Sequence, residues 1–141
     1  MTPAQLQGYR LLRVALASVF VVHASVRIGL GIVDDFSGYW QATFGAPPAL
    51  GLFASWAVTL VELAGGLLLA AGRFVAPLAA WFSLQLAVGV LTIHARAGWF
   101  VVGAGRNGME YSALIVAGLA ALVLLRPPRA APHTASPVSS R

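Results

Sequence analysis

The sequence predicts an all-α integral membrane protein: a four-helix bundle with a short amphipathic helix at the interface between helices 1 and 2. Three observations carry that expectation. Hydrophobic residues make up 59% of the 141-residue chain, charged residues 9%, and the mean hydropathy is +0.83. A soluble domain carries roughly 25% charged residues, so this chain cannot cover itself with polar surface. The apolar residues fall into runs as long as a span, and the few polar residues inside those runs recur at helical spacing.

Helix 1 is expected over about residues 9–32. Leu11 to Val22 is apolar apart from Arg13, which can snorkel to the near interface. His23 and Arg27 stand four apart and share a face. Residues 33–48 are too short and too polar to cross. Asp34 and Asp35 can cap a helix start. Phe36, Tyr39, Trp40 and Phe44 then face away from Ser37, Gln41 and Thr43, the pattern of a helix lying at headgroup depth. Gly45-Ala-Pro-Pro ends it.

Helix 2, about 49–71, is long enough for a bilayer core of ~30 Å, which takes about 20 helical residues. Its one charge is Glu62, near the middle, on a stripe with Ser55, Thr59 and Gly66. Helix 3, about 74–95, carries a second stripe of Gln85, Gly89, Thr92 and Arg96, with His94 on the opposite side. A straight helix cannot aim both faces inward, so either its end is distorted or His94 belongs to the rim. Helix 4, about 108–125, places Asn107, Glu110, Ala117 and Ala121 near one face, the last two small enough to allow close helix approach. Residues 1–125 thus form one membrane domain. Residues 126–141, rich in Pro, Ala and Ser, read as a disordered cytoplasmic tail.

The net charge of +5 does not indicate nucleic-acid binding. All nine basic residues are arginines, scattered at helix ends and in the tail, as topology determinants facing anionic lipid are. With the N-terminus inside, Arg10, Arg13, Arg73, Arg126, Arg129 and Arg141 face the cytoplasm, which predicts a multi-pass membrane protein with both termini cytoplasmic. The first apolar run is too long, and carries His23 and Arg27, so it does not read as a removable signal peptide. The absence of cysteine excludes a disulfide framework, a thiol relay and covalent haem attachment.

Ionisable groups in hydrocarbon usually face a bundle interior and pair. The candidate site is therefore the outer-half cluster. Glu62 and Glu110 are its candidate catalytic carboxylates. His23, Arg27, Gln85, His94, Arg96, Arg106, Asn107 and Tyr111 are its candidate ligand-binding residues. Donors, carboxylates and aromatic walls suit a quinone or a small anion. A metal would draw on His23, Glu62, His94 and Glu110, but no HxxxH or ExxH spacing supports it, and two lone histidines are thin support for haem.

Several segments carry a family resemblance. Gly-Tyr-Arg-Leu-Leu-Arg-Val with His23-Ala-Ser-Val-Arg27, Glu62-Leu-Ala-Gly-Gly with Arg73, His94-Ala-Arg-Ala-Gly-Trp-Phe and Asn107-Gly-Met-Glu110-Tyr are the segments concerned. Together, over about residues 9–125, they resemble the DoxX-like family of small four-helix membrane proteins, DoxD relatives included. The resemblance implies an inner-membrane protein whose relatives include subunits of a thiosulfate:quinone oxidoreductase and proteins linked to oxidative-stress defence. The expected function is a small subunit of a membrane redox system, possible partners being the bilayer, a redox subunit and a second copy. A non-catalytic assembly or accessory protein and a small proton-coupled transporter are the rival readings.

Overall fold

The computed structural model describes residues 1–103 and 105–127; most of the expected tail, from residue 128 on, lies outside the described residues. The described chain is all-helical. α1 is Pro3–Gly29, α2 Asp35–Phe44, α3 Pro48–Ala70 and α4 Val75–Gly89. A π turn, Val90–His94, and a last short turn, α5 (Ala95–Ala97), extend α4. After a loop, α6 is Glu110–Leu124.

The helix ends follow from local chemistry. α1 begins ahead of its apolar run because Thr2 and Gln5 form a reciprocal capping box, with Pro3 in the first turn. α2 stops at Gly45, whose φ of 64° needs no Cβ, and α3 starts directly after Pro47 with Pro48 in its first turn. Asp34 does not cap α2 with its side chain; it accepts a 3.3 Å hydrogen bond from Trp56 Nε1 and so ties the α1–α2 connection to α3.

Three described helices are long and apolar enough to cross a membrane: Pro3–Gly29, Pro48–Ala70 and Val75–Ala97. The 23 residues of α3 rise about 34 Å, which exceeds a hydrocarbon core of ~30 Å. α6 is equally apolar but only 15 residues long, about 22 Å of rise.

The distribution of polarity identifies the solvent. On α3 the buried residues are Gly51, Ser55, Thr59, Glu62, Gly65, Gly66 and Leu69, while Phe53, Trp56, Leu60 and Leu67 are exposed. On α6, Leu114 is 71% and Leu124 85% exposed. A helix in water would do the reverse. Small and polar residues inside with large apolar ones outside is what a lipid surround selects, since lipid supplies no hydrophobic force between helices.

α1 packs against α3, and α4 against α6; contacts between α1 and α6 and between α3 and α4 close the ring, with α2 lying on α3. The shared core centres on Phe20 and Phe82, whose rings stack at 3.8 Å among Leu16, Ala17, Leu69, Ala79, Leu119 and Leu122. Gly66 sets the α1–α3 spacing. A Cβ there would sit 2.7 Å from Val21 Cγ2 and 3.2 Å from the Ala17 carbonyl oxygen.

Gly66→Val is therefore expected to cost about 1–3 kcal/mol through overpacking, read as a lower thermal unfolding temperature in detergent. Gly8→Ala, in α1 with open space around it, is expected to raise stability by about 0.5–1 kcal/mol. Equal effects of the two substitutions would refute the close-approach account.

Candidate functional site

Arg27 in the last turn of α1 and Glu62 in the middle of α3 meet where the two helices pack. Arg27 Nη2 lies 3.0 Å from Glu62 Oε2, and the two side chains are 15% and 5% exposed. Oε2 takes no aligned hydrogen bond, so that contact is ionic in character. Arg27 Nη1 donates to Thr59 Oγ1 at 2.7 Å. The Phe36 ring of α2 covers the guanidinium, Cζ lying 4.8 Å from its centroid. On the other side Gln85 Nε2, from α4, donates to Glu62 Oε1. Four elements thus converge on one carboxylate, and Arg27–Glu62 is the one ion pair among the described residues.

Beside this network lies a hollow of two lobes, about 330 and 440 Å³, which share His23, Glu62, Gln85, Leu86, His94 and Ser112. Each is within the size range of ligand pockets. The first lobe lies under α2 and is walled by Phe36, Tyr39, Trp40 and Trp81. The second lies under the loop before α6 and is walled by Phe20, Val101, Asn107, Gly108 and Tyr111.

His94 lines both lobes because α4 is distorted. In a regular helix Gln85 and His94 stand on opposite sides. The π turn at Val90–His94 takes in one extra residue, which carries His94 about 100° round the axis. Thr92 marks the site of the defect: its hydroxyl donates to the Val88 carbonyl at 2.7 Å. With that proton committed, the 2.7 Å contact between Tyr39 Oη and Thr92 Oγ1 has Tyr39 as donor, and this latches α2 onto the π turn. His94 Nδ1 lies 2.8 Å from the Asn107 carbonyl oxygen. A carbonyl only accepts, so this bond requires the proton on Nδ1. Nε2 of the neutral ring is then an acceptor.

The rest of the predicted cluster is dispersed. Asn107 and Tyr111 line the second lobe, but Arg96 and Arg106 are exposed and line neither. Glu110 also lines neither lobe. Its Oε1 accepts from Val101 N at 3.0 Å, so this candidate catalytic carboxylate holds the loop instead of facing the hollow. The Asn-Gly-x-Glu pattern is thereby explained as loop closure. Asn107 takes φ of 60°, Gly108 N donates to the Phe100 carbonyl at 3.1 Å, and a Cβ on Gly108 would strike the carbonyls of Trp99 and Phe100. Among the described residues no three metal-ligating side chains come together.

The DoxX family model matches residues 8–95, more than half of the chain. The chain belongs to the DoxX family. No curated protein and no solved structure matches it. The family match takes in Arg27, Thr59, Glu62, Gln85 and His94 and ends before the loop and α6, so the ion-pair network lies wholly within the DoxX region of this membrane protein.

Sequence reasoning did not connect the walls of this DoxX cavity. Phe36, Tyr39 and Trp40 read as headgroup-level aromatics, yet they roof the first lobe. The short link between α1 and α2 was the available signal, since it leaves α2 no place far from Arg27.

Breaking the buried pair on one side leaves a charge without a partner. Arg27→Met is expected to destabilise by about 3–5 kcal/mol. Glu62→Leu should cost less, because Arg27 is nearer the helix end and less buried than Glu62. The double variant Arg27→Met/Glu62→Leu should recover most of the loss in thermal unfolding. Additive losses would show that the two side chains do not act as a pair.

Proposed function

We propose that this DoxX protein is a small subunit of a membrane redox system and that its two-lobed hollow holds the headgroup of a quinone or quinol. The observation that carries the reading is Gln85. Its Nε2 is committed to Glu62, while its buried Oε1 has no partner among the described residues, and the residue lines a hollow whose walls combine aromatic and aliphatic side chains with His23, Arg27, Glu62, His94 and Ser112. An orphaned acceptor of this kind calls for a hydrogen-bond donor, which the hydroxyl of a quinol would supply. His94, whose Nδ1 bond to the Asn107 carbonyl leaves Nε2 as an acceptor, lines the same hollow. Two acceptors in an apolar setting suit a hydroxyl-bearing ring.

The same geometry argues against a sulfur oxyanion at this spot. Arg27 is neutralised by Glu62, and Arg96 and Arg106 stand away from the cavity. In this proposal Glu62 handles protons, His23, Gln85 and His94 position the ring, Asn107 and Tyr111 wall it, and a partner subunit exchanges the electrons. Glu110 acts as a loop clasp. A non-catalytic accessory role remains the second reading, because a charge-neutral Arg27–Glu62 pair also serves to lock α1 to α3.

Binding of decyl-ubiquinol to the protein in lipid nanodiscs tests the proposal. Gln85→Leu removes the orphaned acceptor and should weaken binding about tenfold, the value of one hydrogen bond to a buried partner; because it also removes the donor to Glu62 Oε1, it should lower the unfolding temperature. Glu62→Gln should still bind but lose activity in the assembled system. Undiminished binding by Gln85→Leu would overturn the quinol site.

The proposed topology places α1, α3 and α4 across the membrane, with α6 completing a fourth span, α2 at the outer interface and both termini cytoplasmic. The arginine distribution supports it. Reporter fusions at residue 73 and at the C-terminus should signal cytoplasmic, and fusions at residues 40 and 102 external. A cytoplasmic signal at 102 would refute the fourth span.

A further inference from the structure

At the end of the bundle away from Glu62, a hollow of about 310 Å³ lies between α1, the α3–α4 turn and the residues after α6. We propose that it binds a phosphate oxyanion, supplied by the headgroup of an anionic phospholipid.

The charge inventory leads there first. Arg13 and Arg126 both line the hollow. The chain has four acidic residues, Asp34, Asp35, Glu62 and Glu110, and none of them is a lining residue. Asp34 bonds Trp56, Glu62 pairs with Arg27, and Glu110 holds the loop before α6. No side-chain carboxylate of the chain neutralises this end.

The second observation is a pair of orphans. Tyr9 is 4% exposed, and its hydroxyl has no hydrogen-bond partner among the described residues; buried Nε of Arg13 has none either. Arg13 therefore does not simply snorkel to water. Buried polar groups are nearly always paired. Two unpaired buried donors, on side chains that both line one hollow, point to a missing acceptor. The Arg13 guanidinium also lies over the Tyr9 ring, Cζ 5.7 Å from the centroid, so the two side chains form one unit.

The backbone adds to this. α4 starts at this hollow with Val75, and no side chain caps its first turn. Free N–H groups at a helix start favour an anion. Phe74 holds a left-handed φ of 53° just before it. Gly72, at φ 77°, lies against the Arg13 guanidinium, where a Cβ would collide with it. The turn is shaped around that arginine. Phe74 lines the hollow and is 66% exposed on an apolar outer surface, a place for acyl chains to follow a headgroup. Basic pockets between membrane helices take anionic headgroups by the same physics.

The test uses the full chain in detergent with added dioleoyl-phosphatidylglycerol, dioleoyl-phosphatidylcholine or inorganic phosphate, read by thermal shift and by native mass spectrometry of retained lipid. Phosphatidylglycerol should stabilise the protein and be retained; phosphatidylcholine should do neither. Arg13→Met and Arg126→Gln should each weaken phosphatidylglycerol binding about tenfold, as expected for loss of a charge-assisted bond. Tyr9→Phe keeps the ring, removes only the hydroxyl, and should weaken it several-fold, which tests the site even if Arg13→Met fails to fold. Arg10→Gln, the same charge change outside the hollow, should bind like the wild type. Equal stabilisation by inorganic phosphate, abolished by the same variants, would support the oxyanion site but assign it to a free anion and overturn the lipid. Equal loss in Arg10→Gln, or none in Tyr9→Phe and Arg126→Gln, would overturn the site.

Discussion

The buried pair of Arg27 and Glu62 is the constraint around which the rest of this structure is arranged. The carboxylate in the middle of α3 is only 5% exposed, and a lone charge in hydrocarbon is costly. Its partner must come from another helix. That requirement places the last turn of α1 against α3, and the small residues of α3 let the helices approach closely enough to satisfy it. Gln85 brings α4 to the same carboxylate, and Phe36 brings α2 over the guanidinium. One ionic contact thus collects four helical elements.

The same pair leaves a cavity with a particular chemistry. Once Arg27 is neutralised, the hollow beside it is lined by aromatic walls, two histidines, Glu62, Ser112 and Gln85, whose buried amide oxygen is unpaired. The opposite end of the bundle has the reverse character, with arginines and buried donors and no carboxylate. The two ends of the bundle thus differ in character: Gln85 keeps an unpaired buried acceptor near Glu62, and Tyr9 and Arg13 keep unpaired buried donors near the α3–α4 turn.

The π turn shows how a local defect can serve a cavity. A regular helix through His94 would turn the ring away from Gln85. Accommodating one more residue in the turn costs regular backbone bonding, and Thr92 and Tyr39 occupy the gap with hydroxyl bonds of their own. His94 is then held by the Asn107 carbonyl, so the loop before α6 also helps to orient it. That loop is stabilised in turn by Glu110 and by the close approach at Gly108.

The sequence by itself determined the all-helical class, the long apolar helices, the depth of Glu62 and the stripe of Ser55, Thr59 and Gly66 around it. These follow from composition and from a 3.6-residue period, which are local properties. It also narrowed His94 to two alternatives without choosing between them. Only the tertiary structure decided that α4 is distorted, that Arg27 is the partner of Glu62, that Glu110 closes a loop, and that Arg96 and Arg106 stand apart from the cavity. Pairing between helices depends on their rotation and separation, and one extra residue in a turn moves a side chain by about 100°. No periodic pattern within a single helix contains that information.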